Sequence, residues 1–375
     1  MKVTPDQLND KSLITLAYYF PQYYPIPENN SAFCDGFTDW FCFDNLPDKN
    51  AWGYPIKHPS SLGRYDTRDK EVRAKQTELA HQYGIDGFVY YHYWHESGPV
   101  MTKMLETILA DGQPDLPFAF CWDNNHWVAR YAARFNPNMG DADSEQVTSK
   151  TTLSQPERHA AFLLPYFQNK NYIRVDDKPM FIIYRWDNVA VMNRYIKELL
   201  AALAKEGLTQ GLHLVQCLCG YDTPNPYTET IGPHAYQPFA PNFSDSIALK
   251  KGNQGRVYTD IIATRQHFKI DKRALLYCGG LTGWDNSPRY HLHRVKQPVF
   301  YPSDWSVDKF EEVTKSRFNA VLADPNPKGT PNFYFFFAWN EWGEGATLEP
   351  NSVTGDGLGM AVKNALFEIL NKTSQ

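Results

Sequence analysis

NFYFFFAWNEWGEG, residues 332–345, decides the fold, because an almost wholly apolar run leads directly into acidic residues. Five consecutive aromatic residues are typical of a β-strand that is buried on both faces, as strands of a parallel sheet are. Glu341 and Glu344 follow where this strand ends. A carboxylate beside such a segment costs several kcal/mol to bury unless it is paired or used. The stretch therefore predicts an inner strand that ends at a functional site.

Seven more short apolar runs of the same kind precede it along the chain. They are LITLAYYF (13–20), GFVYYHY (87–93), PFAFCW (117–122), PMFIIYR (179–185), LHLVQCL (212–218), HAYQPF (234–239) and ALLYCGG (274–280). Helical periodicity marks the segments 69–84, 100–112, 155–169, 189–207, 257–268, 307–324 and 358–372. Strands that alternate with helices in this way predict βα units around a parallel sheet.

Eight such units predict an α/β protein with a single (β/α)8 barrel, of the TIM type, over residues 1–375. The surplus residues form long loops after strands 1, 3 and 7, at 21–68, 123–152 and 281–305. A doubly wound sheet is the alternative. No G-x-G-x-x-G or G-x-x-x-x-G-K-[ST] motif follows a strand, so a nucleotide-binding Rossmann or P-loop fold has little support.

Composition narrows the class of ligand. The net charge of -5 without a basic run gives no footprint for nucleic acid or an anionic membrane. Aromatic residues make up 15% of the chain, and rings with a polar tip suit ligands that are half apolar, as sugars are. The N-terminus has no signal-peptide pattern, and no 18 apolar residues run together, which predicts a cytoplasmic protein without a transmembrane segment. Peripheral membrane contact remains open.

Polar and aromatic residues cluster where the predicted strands end, which is the face where barrels bind substrates. The substrate-binding candidates are Tyr18, Gln22, Tyr23, His92, Tyr93, Trp94, Trp122, Asp123, Asn124, Asn125, Tyr184, Trp284, Asp285, Asn286, Arg289, Trp339, Asn340 and Trp342. Sugar stacking is expected of Trp122, Trp284, Trp339 and Trp342, and hydroxyl binding of Asp285, Asn286 and Asn340. One such cluster is also what an ordinary capped loop looks like. Five clusters at strand ends favour a saccharide site.

The histidines do not indicate a metal site. His92 and His95 have H-x-x-H spacing, which lacks the i, i+4 geometry of a helical zinc site, and no third ligand is obvious near them or near His291 and His293. We expect neutral, hydrogen-bonding histidines, no metal and no other cofactor. No G-x-S-x-G motif supports a serine nucleophile.

Glu341 and Glu344 are the catalytic candidates. Glu341 lies between Trp339 and Trp342, and apolar surroundings disfavour the ionised carboxyl, which suits a proton donor. Glu344 follows Gly343 and could bring a second carboxyl into the same pocket. Two carboxylates in one pocket are the equipment of glycosidic bond chemistry. The alternative is that Glu341 only pairs with an arginine of a neighbouring strand, such as Arg185.

Five ordered motifs carry a family resemblance: GIDGFVYYHYW (84–94), PFAFCWDNNHW (117–127), YIRVDDKPMFIIY (172–184), GWDNSPR (283–289) and WNEWGEG (339–345) followed by EP. Together they resemble the WbsX-type family of surface-polysaccharide glycosyltransferases. That family is similar to glycoside hydrolase family 99, the endo-acting α-mannosidases and mannanases. The resemblance covers about residues 13 to 370 and implies a (β/α)8 barrel with metal-independent, retaining chemistry.

The resemblance also implies roles for the two glutamates, because E-W-x-E of family 99 matches Glu341 to Glu344. Glu341 would remove the proton from the sugar 2-hydroxyl, which attacks C1 to form a 1,2-anhydro intermediate. Glu344 would protonate the leaving oxygen and then activate water or an acceptor. These roles reverse the one that apolar burial assigns to Glu341, and we adopt them.

Two departures from the family pattern bear on the substrate. The hydrolases commonly carry His where this chain has Gly343. The loop after strand 3 usually reads W-A-N-E in the WbsX-type family, whereas this chain has Trp122, Asp123, Asn124 and Asn125. The expected partners are a saccharide donor and a glycan acceptor. A family 99 hydrolase acting on an α-mannoside and a non-catalytic saccharide-binding barrel are the alternatives, and the oligomeric state is open.

Overall fold

The structure is a computed structural model that describes residues 2–9, 11–50, 53–128, 147–219, 224–226, 231–239, 246–248, 256–258, 273–290, 299–300, 306–327 and 330–373. All eight predicted barrel strands are confirmed. They are β1 Ile14–Tyr19, β2 Gly87–His95, β3 Phe118–Trp122, β4 Lys178–Ile183, β5 His213–Cys219, β6 Ala235–Phe239, β7 in two pieces (Leu275–Leu276 and Cys278–Leu281) and β8 Phe333–Phe337.

The barrel closes through the two pieces of β7. Neighbouring strands from β1 to β6 pair in parallel, and β8 pairs with β1. Leu275 lies opposite Ala235 of β6, whereas Cys278 lies opposite Tyr334 of β8. The sheet therefore returns to its own beginning, and the predicted (β/α)8 barrel is confirmed.

Helices follow the strands as the periodicity predicts. The described part of the chain contains α1 Pro27–Ala32, α2 Lys70–Tyr83, α3 Lys103–Asp111, α4 Pro156–Phe167, α5 Val189–Lys205, α6 Ser287–Tyr290, α7 Val307–Ala323 and α8 Gly357–Thr373. Six predicted helices correspond to α2, α3, α4, α5, α7 and α8. For the seventh, residues 257 and 258 belong to a short strand instead, and residues 259–268 lie outside the described residues.

Short elements complete the fold. The small strands are Val3–Thr4, Gly98–Val100, Trp127–Val128, Val147–Ser149, Arg174–Val175, Ser246–Ala248, Arg256–Tyr258, Val299–Phe300, Asn340–Glu341 and Ala346–Thr347, and the 3-10 turns are Asp6–Leu8, Asp39–Phe43 and Trp342–Glu344. No helix in the described ranges combines the length and apolar character that a membrane crossing requires.

Local signals fix where the long helices begin and end. The Asp69 side chain accepts a hydrogen bond from Glu71 N at the start of α2, and Gly84 ends that helix with a left-handed φ of 78°. Asn188 and Ser306 cap α5 and α7 in the same way. Each cap satisfies an amide that the first helical turn leaves without a partner.

Both faces of the barrel strands are buried. Tyr18, Phe335 and Phe337 point inward, and the Tyr18 ring lies 5.9 Å from the ring of Phe335. The alternate residues of β8, Tyr334 and Phe336, pack on Phe318 of α7 outside the barrel. Aromatic side chains on both faces explain why β8 shows no alternation of polar and apolar residues.

Three loops meet at the carboxyl ends of β7, β8 and β1. Lys57, in the long loop after β1, donates from Nζ to the carbonyl oxygens of Thr282 and Gly345, at 3.2 and 3.0 Å. Asn50 of the same loop donates to the Asp285 carboxylate at 3.2 Å. These bonds bring together the loops that carry the candidate site.

Candidate active site

Glu341 and Glu344 meet at one guanidinium group, that of Arg289. Arg289 Nη2 lies 2.5 Å from Glu341 Oε1, and Arg289 Nη1 lies 2.7 Å from Glu344 Oε1. A third carboxylate, Asp39 Oδ2, lies 3.5 Å from Nη2. The guanidinium stands 5.4 Å from the centre of the Phe20 ring, within the range of a cation–π contact. One cation thus faces three acids from two loops, Asp39 from the loop after β1 and the two glutamates from the loop after β8.

Hydrogen bonds hold the backbone of both glutamates. Glu341 ends the strand Asn340–Glu341, which pairs with Ala346–Thr347, and Glu344 ends the following 3-10 turn. Asp285 N donates to Glu344 O at 2.7 Å. Gly345, with a φ of 62°, lets the chain turn back sharply enough to form this hairpin. The two carboxylates are therefore carried by a short, bonded loop.

Burial controls the charge state of Glu341. Its side chain is 5% exposed, whereas that of Glu344 is 23% exposed. Loss of solvation raises the pKa of Glu341 well above its usual value, the Glu344 and Asp39 charges raise it further, and Arg289 offsets part of the effect. Proton gain by Glu341 is thus favoured at a higher pH than for an ordinary glutamate.

The ionic partner of Glu341 is not Arg185. Arg185 instead lies 3.0 Å from Asp187, in the loop after β4. Arg289 takes the role because β7 neighbours β8 in the barrel, so α6, which follows β7, reaches the end of β8.

Tyrosines form the wall beside the acids. Tyr23 donates from its hydroxyl to Asn340 O at 2.6 Å and accepts from Trp342 N at 3.2 Å. Loss of solvation raises the pKa of Tyr91 and of Tyr93, and the Glu341 charge adds to both shifts. Both hydroxyls are therefore close enough to sense Glu341, and both stay neutral.

Asp123 marks a second polar region next to Tyr93. Its Oδ1 accepts from the Asn125 backbone amide at 3.1 Å and from Asn125 Nδ2 at 2.8 Å. Burial raises the pKa of Asp123 to about 6. The charges of Asp123 and Glu341 both raise the pKa of Tyr93, so Tyr93 is near both regions.

Asn124 and Tyr184 belong to the same side of the barrel. The Asn124 side chain donates to Arg185 O at 2.7 Å and accepts from Arg185 N at 2.8 Å, so it joins the loops after β3 and β4. The Tyr184 ring is half-buried and lies 6.4 Å from that of Tyr91. Asn124 therefore positions backbone, and Tyr184 borders the interior tyrosines.

The loop after β7 supplies the remaining half-buried candidates. The Trp284 ring lies 5.8 Å from that of Phe337, above the end of β8. Asp285 accepts from Ser287 N at 2.9 Å, and burial raises its pKa. Asn286 Oδ1 is buried and has no hydrogen-bond partner among the described residues. Asn286 therefore retains an acceptor for a ligand.

Four candidates face the helices instead of the barrel interior. His92 Nε2 lies 2.7 Å from His159 Nε2 of α4, and the Trp94 ring stacks on His159 with centroids 4.4 Å apart. The Trp122 ring lies 5.3 Å from Tyr195 of α5. The Trp339 ring lies 5.0 Å from Phe88 on the outer face of β2. All four side chains are fully buried. Alternation along β2 and β3 points His92, Trp94 and Trp122 outward, whereas Trp339 lies beyond the end of β8 at Phe337, where alternation no longer applies. The structure therefore gives no support to the expectation that these four side chains contact substrate.

Trp342 and Asn340 are also used within the protein. Trp342 is buried and donates from Nε1 to Glu349 Oε2 at 2.9 Å. Asn340 accepts from Phe20 N at 2.7 Å and donates to Phe20 O at 3.1 Å. Both side chains therefore support the loop, and the structure gives no support to sugar stacking by Trp342 or hydroxyl binding by Asn340.

Glu349 anchors this support. It accepts from Tyr65 and Gln76, both at 2.7 Å, as well as from Trp342. Burial raises the pKa of Glu349 to about 7. Glu349 therefore fixes the loop that carries Glu341 and Glu344.

Tyr18 lies in β1, and Gln22 lies in the loop that follows it. Tyr18 points into the barrel and donates to Gln237 Oε1 at 2.7 Å. The Gln22 carbonyl oxygen accepts from Asp39 N at 3.0 Å, so its backbone positions Asp39.

Sequence reasoning missed Asp39, Lys57 and Tyr91. Asp39 stands in the aromatic segment FTDWFCF, and an acid between aromatic rings is the signal that identified Glu341. In the described residues, no group of three or more His, Cys, Asp or Glu side chains is arranged to hold a metal ion. His291 and His293 lie outside the described residues.

Comparison of the sequence with known families gives a match over most of the chain. The model of the family described as glycosyltransferase WbsX matches residues 15–358. The protein WxcX of Xanthomonas campestris pv. campestris is 29% identical over 366 residues, which cover 94% of this chain and 49% of that protein. The chain thus spans about half the length of the curated relatives it matches.

Solved structures share the barrel. The GH99 endo-α-mannosidase of Bacteroides thetaiotaomicron is similar with a TM-score of 0.54 and 13% identity, over 96% of this chain and 98% of that chain. A glycoside hydrolase-like protein is similar with a TM-score of 0.56 and 14% identity, over 95% of this chain and 94% of that chain. Likeness at these identities shows a shared fold.

The family match runs from β1 to the start of α8 and includes Arg289 and both glutamates. The chain belongs to the WbsX glycosyltransferase family of carbohydrate-active enzymes.

Proposed function

We propose that the chain is a retaining, metal-independent enzyme that transfers a glycosyl unit in the assembly of a bacterial surface polysaccharide, with Glu341 and Glu344 as its catalytic pair. The observation that carries this proposal is the pair of carboxylates, one buried and one partly exposed, on the single Arg289 guanidinium. Glycosidic bond chemistry needs two carboxyl groups with distinct protonation roles in one pocket.

The roles are those that the resemblance to glycoside hydrolase family 99 implies. Glu341 acts as the base that removes the proton from the sugar 2-hydroxyl. Its raised pKa supports this role, because a carboxylate of higher pKa is a stronger base once it is ionised. The 2-oxygen attacks C1 and forms a 1,2-anhydro sugar as the bond to the leaving oxygen breaks. Glu344, which is more exposed, donates its proton to that oxygen and then removes a proton from the acceptor. The acceptor oxygen attacks C1, the bond from C1 to the 2-oxygen breaks, and Glu341 returns its proton to the 2-oxygen.

The sugar lies against half-buried side chains and against the buried, inward-facing Tyr93. Tyr93, Asp123 and Asn125 border it on the side of β2 and β3, and Trp284 and Asn286 border it on the side of β7. A half-buried indole suits the apolar face of a sugar ring, and the Asn286 carbonyl suits a hydroxyl. The proposed donor is a saccharide, the proposed acceptor is a glycan, and the proposed location of the enzyme is the cytoplasm.

Hydrolysis is the second candidate, with the same residues and water as acceptor. The fold shared with the GH99 endo-α-mannosidase favours it, and the substrate would then be α-mannoside-like. Transfer and hydrolysis differ only in the molecule that reacts with the 1,2-anhydro sugar.

A ligand screen tests the class of donor. The melting temperature of the protein is measured with nucleotide sugars and, separately, with mannose-containing oligosaccharides. A ligand at about 100 times its Kd adds roughly 2.7 kcal/mol to the free energy of unfolding. Stabilisation by a nucleotide sugar supports transfer and identifies the donor, whereas stabilisation by oligosaccharides alone supports hydrolysis or transglycosylation.

Variants then test the catalytic pair on the ligand found. We expect Glu341→Gln and Glu344→Gln each to lower turnover at least about 10²-fold, the usual effect of losing a general acid or base. Glu78→Gln, at an exposed position of α2, is the matched control. The 2-deoxy analogue of the donor should not react, and proton NMR should give a product of retained configuration. Binding without turnover of any glycoside would mean a non-catalytic saccharide-binding barrel.

A further inference from the structure

Arg289 is bound to the proposed catalytic pair through both of its terminal nitrogens. Nη1 contacts Glu344, and Nη2 contacts Glu341 and Asp39. The Arg289 side chain is only 12% exposed, and Asp39 is fully buried. A planar guanidinium holds two oxygens in fixed directions, which a single ammonium group cannot do. The contacts of Arg289 are therefore directed at the acids.

Gly343 provides the space for this arrangement. A Cβ atom at position 343 would lie 2.5 Å from Asp39 Oδ2 and 2.6 Å from Arg289 Nε. Both distances are shorter than any real contact of a Cβ atom. Arg289 and Asp39 thus occupy the volume that any side chain between the two glutamates would need.

The loop before Arg289 is tied to the loop of the glutamates. Asp285 N donates to Glu344 O, and Arg289 N donates to Asn286 O at 3.2 Å. Lys57 bonds the carbonyl oxygens of Thr282 and Gly345, one in each loop. Arg289 therefore approaches the acids from a backbone that is fixed relative to them.

We infer that Arg289 is a positioning residue that holds the Glu341 and Glu344 carboxylates in a fixed relation, and that Asp39 holds Arg289 in turn. The inference rests on the proposed function of the two glutamates. It assigns Arg289 to the acids and not to the substrate, because its terminal nitrogens are directed at protein carboxylates.

The charges of the three acids and Arg289 make the inference measurable, because they affect the pH at which Glu341 titrates. Three carboxylates and one guanidinium would carry a net charge of -2 if every acid were ionised, so the acids compete for protons. Arg289 favours the ionised form of Glu341, whereas Asp39 and Glu344 disfavour it. The groups that face Glu341 are Asp39 and Tyr23 from the loop after β1, Tyr91 and Tyr93 from β2, Arg289 from α6 and Glu344 from its own loop.

The test is a carbon NMR titration of the protein labelled at the glutamate carboxyl carbons, which requires no substrate. Glu341→Gln and Glu344→Gln assign the two signals by their loss. In Arg289→Gln we expect Glu341 to titrate at a higher pH than in the wild type, because the cation is gone. In Asp39→Asn we expect it to titrate at a lower pH, because a like charge is gone.

Arg289→Lys separates charge from geometry. It keeps the cation, so the Glu341 titration should move less than in Arg289→Gln. Turnover should still fall on the order of 10²-fold, as misplaced catalytic groups cause. If Arg289 and Asp39 only packed the loop, their replacement would not shift the Glu341 titration in opposite directions. If Arg289→Gln does not fold, as judged by circular dichroism, Asp39→Asn and Arg289→Lys carry the test.

Either an unchanged Glu341 titration in Asp39→Asn or full turnover of Arg289→Lys overturns the inference. Failure of the proposed function has a different result: Glu341→Gln and Glu344→Gln would both keep turnover, whatever the titration of the acids.

Discussion

At the scale of single residues, the absence of a side chain at Gly343 is as important as the acids on either side. We expect Gly343→Ala to displace Arg289 or Asp39, since the added Cβ would overlap both. The free energy of unfolding should fall by about 1 to 3 kcal/mol, as overpacking usually causes, and turnover should fall as well. Urea unfolding and the assay of the identified substrate measure the two effects.

Gly112→Ala is the control for this prediction. Gly112 ends α3 with a φ of 70°, and an added Cβ would meet nothing within 4 Å. The left-handed backbone costs an alanine roughly 1 kcal/mol, so the two variants lose similar stability. Turnover should be unchanged in Gly112→Ala. Wild-type turnover in Gly343→Ala would show that the Arg289 contacts are not needed.

Glu349 predicts a pH dependence of stability. Burial raises its pKa from the ordinary 4.5 to about 7, so the folded state binds more protons than the unfolded state between these values. Stability from this group is therefore highest below about pH 4.5, falls as the pH rises to about 7, and is constant above. The interval corresponds to roughly 3 kcal/mol.

Glu349→Gln should remove this loss, because its amide does not ionise and the Gln76 amide can turn to meet it. Urea unfolding at pH 5 and pH 8 compares the two proteins, so that other titrating groups cancel. We expect the wild type to lose more stability than Glu349→Gln between the two pH values. Equal losses would mean that Glu349 is solvated in the folded state.

At the scale of elements, the positions of the strands could be predicted from the sequence, but their rotation could not. In β2, GFVYYHYWH, aromatic residues occupy both the inward and the outward face. The sequence pattern therefore does not show which residues point into the barrel. His92 and Trp94 were therefore assigned to the site although they face α4, and Tyr91, which faces the acids, was missed. The same ambiguity affected Trp122, whereas Trp339 lies beyond the end of β8, where strand alternation does not apply.

Loops limited the prediction in another way. Glu341 and Glu344 could be found because they directly follow a strand, where a barrel places its catalytic groups. Asp39 lies about 20 residues beyond β1, in a loop whose path depends on tertiary contacts such as the Lys57 bonds. The distance along the sequence from Asp39 to the end of β1 therefore does not indicate that Asp39 lies near the acids.

The orientation of two tryptophans gives a matched pair of predictions. Trp284 is half-buried at the mouth of the barrel, whereas Trp339 is buried between the sheet and α2. We expect Trp284→Ala to weaken sugar binding by on the order of 2 kcal/mol with little loss of stability. Trp339→Ala should instead cost about 3 to 5 kcal/mol of stability and leave the affinity of the folded protein unchanged. Calorimetric titration and urea unfolding distinguish them, and the reverse pattern would contradict the assignment.

At the scale of the whole molecule, closure of the barrel depends on the break in β7. Leu276 lies before the point where β7 leaves β6 for β8, and Asn326 takes the place of a neighbouring strand there. Its side chain accepts from Leu276 N at 2.9 Å and donates to Leu276 O at 3.1 Å. A side-chain amide thus completes the hydrogen bonding at the seam of the barrel.

Asn326→Ala should therefore open this seam first. The Leu276 amide and carbonyl lose their partners, at a cost of about 1 to 3 kcal/mol. Hydrogen exchange should become faster at Leu276 and Tyr277, and less so in β3 and β4 on the opposite side. Asn326→Asp, which keeps the acceptor but sets a carboxylate oxygen against the Leu276 carbonyl oxygen, should accelerate exchange there at least as much. Uniform acceleration over all strands would show that the seam has no separate stability.

The sequence predicts a single domain over residues 1–375, and we expect such a domain to unfold in one cooperative transition. Circular dichroism and tryptophan fluorescence should then give the same urea midpoint, because the ten tryptophans are spread along the chain. Separate midpoints would mean that part of the chain unfolds independently.

The placement of the acids in one sector has a consequence for the loops outside it. The proposed catalytic pair and the two residues that hold it lie in loops after three neighbouring strands of the eight, β7, β8 and β1; these residues are Glu341, Glu344, Arg289 and Asp39. The loops after β3 and β4 stand outside that sector. Changes in those loops would therefore alter the surface beside the proposed catalytic pair and leave the pair and its arginine in place.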